Sequence, residues 1–467
     1  MASEQNAHLG SEHIEFMRTS VTARWEQILA DLVAHARIPS VSWPSFEQSH
    51  VARSAEHVAE RFRALDFFPE VVIVREPIDG GGLGQPAIIA RRPARNGAPT
   101  VLLYAHHDVQ PPGDESVWLS APFEPEVRGE RMFGRGVADD KAGVTMHVES
   151  LRALLTRDSE TDLGVVVFIE GEEEYGSPSF TNTLAAHRDT LEADVIIVAD
   201  SGNWTTEIPA LTVSLRGNAT VKVTVRTLDH ALHSGMFGGA VPDAMLAMTR
   251  LLASLHTDNG DVAVAGLQQR HLETPEYSLA RLREESGLLD GVQALGDDHL
   301  ARLWNKPAVT VIGLDMPSTA QSSNTLIPAV SAMVSLRVAP GQDADDAVAA
   351  LVRHLKHHVP FGAHVSVEVL GTGSAFSMVA DSPSVSLMKG ALAAAYGAEV
   401  VDMGVGGSIP FIAEFVEVFP NASVLVTGVE DPDSRAHSPN ESLHLPSFEN
   451  AIVAQAVFLA ELAHQTA

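Results

Sequence analysis

The sequence predicts an α/β protein built on a mixed, largely parallel sheet flanked by helices and interrupted by an inserted α+β domain. Three observations predict it. Apolar, β-branched runs alternate with helical stretches from about residue 55 to 210; the pattern then switches to apolar–polar alternation; and a helix plus a buried strand return after about residue 375. The expected parts are 1–211 and 376–467 for one interrupted domain and 212–375 for the insertion. At 467 residues, 45% hydrophobic and 19% charged, the chain is globular and too long for the usual single domain.

The elements follow in order. Residues 20–36 read as an amphipathic helix with Trp25, Ile28, Leu29, Leu32 and Val33 on one stripe, ended by Pro39 and Pro44. The runs VVIVRE, PAIIARR, TVLLYAH, VVVFIE and VIIVAD read as strands, with helices near 51–65, 141–156 and 179–189 between some of them. ALTVSLRGNATVKVTVRT alternates as half-exposed antiparallel strands do, and PDAMLAMTRLLASLHT reads as an amphipathic helix. A charged, helix-rich stretch near 256–304 reads as an insertion, before the strands AVSAMVSLRV and HVSVEVL and the helix DADDAVAALVRHLKHHV. SPSVSLMKGALAAAYG is then a helix and SVLVTGV a buried strand.

Composition narrows the function. A formal charge of −29 argues against nucleic acid or an anionic membrane as partner, since both call for basic patches. No apolar run approaches the roughly 20 residues of a membrane helix, and the first residues lack a secretory pattern, so a soluble cytoplasmic enzyme is expected. The absence of cysteine excludes disulfides and thiol catalysis.

Five acid-and-histidine segments remain as carriers of chemistry. His106 and Asp108, two apart at the end of a strand, share a face, so His106 can ligate a metal while Asp108 holds its other ring nitrogen. The pair alone reads equally as ordinary strand-end residues, and His107 points the opposite way. ADDKAG around Asp139, taken alone, reads as an acidic helix cap. Glu172, Glu173 and Glu174 leave an apolar strand at the edge where open α/β sheets build their sites, and three adjacent carboxylates repel unless cations neutralise them. Asp200 ends another such strand, and His437 lies in a loop after SVLVTGV. An imidazole and carboxylate kit suits two divalent metals that activate water, rather than a thiolate site.

Taken as a set, these segments resemble a known superfamily: the two-metal zinc hydrolases that include carnosinase-like cytosolic dipeptidases, carboxypeptidase G, aminoacylase and succinyl-diaminopimelate desuccinylase. HHDVQP is similar to H-x-D-V-Q-P, GRGVADDKAG to G-R-G-x-x-D-[DN]-K-G, EGEEEYGS to E-G-x-E-E-x-G-S and AHSPNE to A-H-S-x-N-E. V-Q-P, FGG and GGSIP favour the dipeptidase branch. The resemblance implies a zinc-peptidase-like catalytic domain and an inserted lid that also forms a homodimer. It implies one metal on His106, Asp139 and Asp200, and another on Asp139, Glu174 and His437, with Asp139 as the bridge. Zn2+ is the expected ion, with Mn2+ or Co2+ as alternatives. Glu173 becomes the general base, Asp108 the orienter of His106, and a cis peptide is expected at Asp139–Asp140.

In the insertion, DHALHSGMFGG is similar to D-L-H-S-G-x-F-G-G, which gives His233 the role of stabilising the oxyanion in the partner's site. Thr325 in NTLIP, Arg337 in SLRVAPG and Ser408 in GGSIP match positions that bind the substrate's carboxylate. Two departures stand out. Glu172 replaces a common Met and is expected to face away from the metals, and Ala105 stands where Gly is typical. The implied activity is hydrolysis of dipeptides or similar small amides with a free carboxylate. An N-acyl- or N-carbamoyl-amino-acid amidohydrolase is the alternative within the superfamily. A catalytically dead dimeric binding protein would be expected to lack a ligand or the base, and this sequence keeps them all. The carboxylate-binding set and the implied lid disfavour an aminopeptidase for longer peptides.

Overall fold

The computed structural model describes residues 11–378, 382–407 and 410–465, which fall into two compact units. One comprises Met1–Val213, Met378–Met403 and Glu414–Ala467, the other Ser214–Ser377 and Gly404–Ala413.

In the first unit the strands Gly164–Glu170, Thr100–His106, Val195–Val198 and Ser423–Val426 lie side by side and parallel. Their near-continuous apolar sequences suit a sheet covered on both faces, and every residue of Thr100–His106 and Gly164–Glu170 is buried. Ala87–Arg92 and Val71–Val74 extend one side antiparallel, and Ala210–Leu215 continues the other antiparallel to Ser423–Val426. The sheet is therefore mixed, with a parallel centre. Register decides the rest: His106 pairs with Glu170 and Tyr104 with Val198. The chain leaves all four parallel strands at one edge, and the segments that follow carry Asp108, Glu173, Glu174, Asp200 and His437.

Lys141–Arg157 is a helix buried along its first four turns that packs on Thr100–His106 and on the C-terminal helix Leu445–Leu462. Gly143 makes its start possible. A Cβ there would lie 2.0 Å from the Asp140 carboxylate and 2.8 Å from the Ala199 carbonyl.

The N-terminal region differs from the single helix expected. Two helices, Ser11–Ala23 and Trp25–Ala36, meet at Arg24, and the buried stripe is Ile28, Leu32, His35 and Ala36. Trp25, Leu29 and Val33 are only half-buried. The helix expected at 179–189 is likewise two short ones, Phe180–Ala186 and Arg188–Leu191.

The second unit holds a four-stranded antiparallel sheet in the order Ala308–Asp315, Ala329–Val338, Gly217–Arg226, His364–Gly373. Gly217–Arg226 and Ala329–Val338 alternate strictly between buried residues and residues that reach solvent. Their inward Val221, Val223, Val334 and Leu336 join Leu251 and Leu351 of two covering helices, Ala244–Ala253 and Ala344–His358. Asp243 and Asp343 cap these helices, accepting from the N–H of Leu246 at 2.7 Å and Asp346 at 2.9 Å. The stretch 256–304 is less helical than expected, holding only Leu279–Ser286 and His299–Trp304 among its described residues. Glycines at positive φ, such as Gly287 and Gly296, and Pro275 interrupt the rest. No described helix is long and apolar enough to cross a membrane.

Candidate metal centre and active site

At the parallel edge of the first sheet, six of the expected residues converge around Asp139. Its Oδ1 lies 3.1 Å from Nε2 of His106 and its Oδ2 lies 3.1 Å from Nε2 of His437. One carboxylate thus offers an oxygen to each of two imidazoles. Nε2 of His437 also lies 3.2 Å from Oε2 of Glu174. Two triads bring ligand atoms within 4.8 Å of one another: His106, Asp139 and Glu174, and His106, Glu173 and Asp200. Glu173 therefore stands in the close group where Asp139 was expected beside His106 and Asp200.

The supports are equally specific. Nδ1 of His106 donates to the Asp108 carbonyl at 3.1 Å and lies 3.3 Å from the Asp108 carboxylate, which turns Nε2 toward Asp139. The buried Asp108 carboxylate also accepts from Ser42 Oγ at 2.7 Å and from the backbone N–H of Glu173 at 3.2 Å and Glu174 at 3.1 Å. It therefore fixes the histidine and the two glutamates together. Gln110 holds Glu174 through its N–H at 3.1 Å and its Nε2 at 2.6 Å. His437 adopts a left-handed backbone, φ 62°, of the kind that functional sites enforce on non-glycine residues.

The peptide between Asp139 and Asp140 is cis. The helix-cap reading of ADDKAG does not hold: Asp140 stands at the cap position but makes no side-chain cap bond. Its Oδ2 accepts instead from the His106 N–H at 3.1 Å. Glu172 turns away, accepting from Gln85 N–H at 2.7 Å and from Ser179 N–H at 2.8 Å. His107 donates to the Pro86 carbonyl at 2.8 Å, and burial lowers its pKa to about 4, so it is a neutral internal prop.

Electrostatics define what the cluster can hold. Burial, then Asp139, pushes Glu174 up to about 7, while burial takes Asp200 to about 6. Burial and Asp200 drive Glu173 well above the carboxylate range. Hydrogen bonds to Asp139 and Glu174 lift His437 to about 11. Burial opposes charge on both His106 and Asp139. Even so, Asp108 and Asp139 hold His106 well above the ordinary histidine range, and His106 and His437 hold Asp139 below the usual carboxylate range. The carboxylates repel and the imidazoles are drawn toward positive charge, so the cluster calls for cations. A bare Nε2 lone pair 3.1 Å from a carboxylate oxygen is satisfied only by a proton or a metal ion between them. The residues present fit divalent metals held by nitrogen and oxygen.

One contributor went unassigned in the sequence. Glu441, at the end of AHSPNE, is fully buried and pairs with Arg135 at 2.6 Å. It accepts from the N–H groups of Gly136 (2.9 Å), Ala138 (2.9 Å) and Asp139 (3.1 Å), and so sets the loop that presents Asp139. Its presence in the same motif as His437 was the available signal.

In the second unit His233 and Thr325 face each other in a two-stranded ladder, both exposed. Nδ1 of His233 accepts from the Gly235 N–H at 3.0 Å, so a neutral His233 carries its proton on Nε2. Arg337 lies on Ala329–Val338 opposite Asn218. Ser408 lies outside the described residues.

The profile of peptidase family M20/M25/M40 matches residues 102–464. A cysteinylglycine-S-conjugate dipeptidase of Corynebacterium striatum is 37% identical over 368 residues, 78% of this chain and 81% of that protein. The Cys-Gly metallodipeptidase of Schizosaccharomyces pombe is 28% identical over 461 residues, 94% of this chain and 96% of that protein. In fold, the chain is similar to the dipeptidase Dug1p of Saccharomyces cerevisiae, with a TM-score of 0.81 and 23% identity over 97% of this chain and 99% of the other.

Proposed function

The chain belongs to peptidase family M20/M25/M40, and we propose that it is a dipeptidase acting on dipeptides or similarly small amides with a free carboxylate. The observation that carries this reading is Asp139, whose two oxygens each meet an imidazole in a buried cluster of carboxylates. In this reading His106, Asp139 and Asp200 hold one divalent ion and Asp139, Glu174 and His437 a second, Zn2+ first and Mn2+ or Co2+ as alternatives. Bound there, such ions lower the pKa of water toward about 7 and polarise the scissile carbonyl.

The chain's own groups do the rest. The Glu173 carboxylate takes the proton of the attacking water and returns it to the leaving amine, a role that suits a carboxylate placed beside His106 and Asp200 in the cluster. Asp108 keeps Nε2 of His106 turned inward by holding Nδ1. His233 donates Nε2–H to the oxyanion, and Gly235 maintains that tautomer. Thr325, Arg337 and Ser408 hold the substrate's carboxylate, which restricts the site to short substrates. Purified protein supplied with Zn2+ or Mn2+ is expected to cleave dipeptides in preference to N-acyl- and N-carbamoyl-amino acids. Preference for the acylated set in a parallel assay would replace the dipeptidase reading with the amidohydrolase one.

We also read the protein as a homodimer through its second unit. The edge strand Ala308–Asp315 supports this by exposing Val311, Ile312 and Leu314, an unpaired apolar edge of the kind that chains cover. His233→Ala is expected to lower kcat by about 10²–10³-fold, the usual effect of removing one oxyanion donor. If His233 serves the partner's site, mixing inactive His233→Ala and Glu173→Ala proteins under subunit exchange restores activity. Exchange without any restoration would mean that His233 acts within its own chain or not at all.

A further inference from the structure

Apart from the metal centre, the second unit contains a cavity of about 720 Å³, within the range of sites that hold small organic molecules. Leu267, Leu282 and Leu295 give it an apolar side, and Arg216, Arg302 and Lys306 a cationic one. The three cations differ in how they are neutralised. Arg302 reaches Asp261 at 2.5 Å and Asp298 at 3.0 Å, and Lys306 lies 2.5 Å from Asp298.

Arg216 is different. It is 7% exposed, and its hydrogen bonds go to three backbone carbonyls: Gly406 at 3.0 Å, Arg302 at 3.2 Å and Lys306 at 3.3 Å. Among the described residues no carboxylate forms an ion pair with it, and its charged neighbour is another cation, Arg337. Burial together with Arg337 holds its pKa down to about 10. A buried charge is costly unless a counter-charge accompanies it, and a guanidinium's planar fork matches a carboxylate. Carbonyl dipoles solvate the group without neutralising it. In a chain of net charge −29, an uncompensated cation on a half-apolar cavity marks a place for an anion that also has an apolar body.

We propose that this cavity is a second binding site, for an amphipathic monocarboxylate whose carboxylate meets Arg216 and whose apolar body lies against Leu267, Leu282 and Leu295. Because the same guanidinium holds the Gly406 carbonyl, an occupant shares its anchor with Gly406.

Methyl NMR of leucine-labelled, metal-loaded protein tests it, with phenylbutyrate as probe and phenylbutanamide as its uncharged counterpart. Saturable shifts of the Leu282 and Leu295 methyls are expected with the acid, with affinity about ten-fold weaker for the amide and for Arg216→Met. Should Arg216→Met fail to fold, Leu282→Trp fills the cavity from a half-exposed position and is expected to abolish the Leu295 shifts. No saturable shift at these methyls, equal binding of acid and amide, or a response unchanged in Leu282→Trp would each overturn the proposal. The last would place the acid elsewhere, as at the metal centre.

Discussion

Glu173→Ala is expected to lose about 10²–10⁴-fold in kcat while keeping its bound metal, and Glu174→Ala to lose metal. The contrast is sharp because the two residues are adjacent and both line the cluster. Glu173 offers an oxygen within 4.8 Å of ligand atoms of His106 and Asp200, so proximity alone would let it serve as a ligand. Their supports separate them. Glu174 is fixed by Gln110 through two bonds, and its Oε2 lies 3.2 Å from His437, so it is oriented rigidly in the way a ligand must be. Glu173 has its backbone N–H held by Asp108 but, among the described residues, no hydrogen bond on its carboxylate, which suits a group that carries a proton between water and the leaving amine. Turnover of a dipeptide and metal content by mass spectrometry, measured on the same preparations, decide it. Metal lost from Glu173→Ala and retained by Glu174→Ala would exchange the two roles.

Much of this centre was legible because strand register is legible. Once TVLLYAH, VVVFIE, VIIVAD and SVLVTGV read as buried parallel strands, their ends had to share an edge, and the residues after them could meet. The ligand roles came from the resemblance, because spacing along the chain cannot say which oxygen faces which nitrogen. Local reading failed where a tertiary partner overrode a local rule. Asp140 stands where a capping acid belongs, yet its carboxylate serves the His106 N–H across the sheet edge. The helix Ser11–Ala23 was missed because its buried apolar anchors, Met17 and Val21, are too few to mark a stripe. The charged stretch near 256–304 reads as helix-rich, but glycines at positive φ make loops that line a cavity. Arg216 left no signal in the sequence because it acts through backbone carbonyls remote along the chain. Glu441 left only its place beside His437 in AHSPNE, because its partners, Arg135 and the N–H groups of Gly136, Ala138 and Asp139, are about 300 residues away.

Glu441 carries the second large effect. Replacing it with alanine is expected to cost about 3–5 kcal/mol of stability, the usual consequence of removing one partner of a buried ion pair. The loss is not only that of the Arg135 pair at 2.6 Å. Arg135 is 1% exposed, and without Glu441 its charge has neither water nor a counter-ion. The N–H groups of Gly136, Ala138 and Asp139 lose their acceptor too, and each orphaned donor adds to the cost. Against a total stability of about 5–15 kcal/mol, such a loss is a large share of the whole. The same three N–H groups set the loop that aims Asp139 at both imidazoles, so metal affinity should fall together with stability. Denaturant unfolding and metal titration of Glu441→Ala, Glu441→Gln and Glu441→Ala combined with Arg135→Met separate the contributions. Glu441→Gln keeps an acceptor and should retain more stability than alanine. The double substitution removes the stranded charge and should recover part of the loss, though not the metal affinity, because the three N–H groups remain without an acceptor. Full recovery of metal binding in the double variant would show that Glu441 serves only to neutralise Arg135.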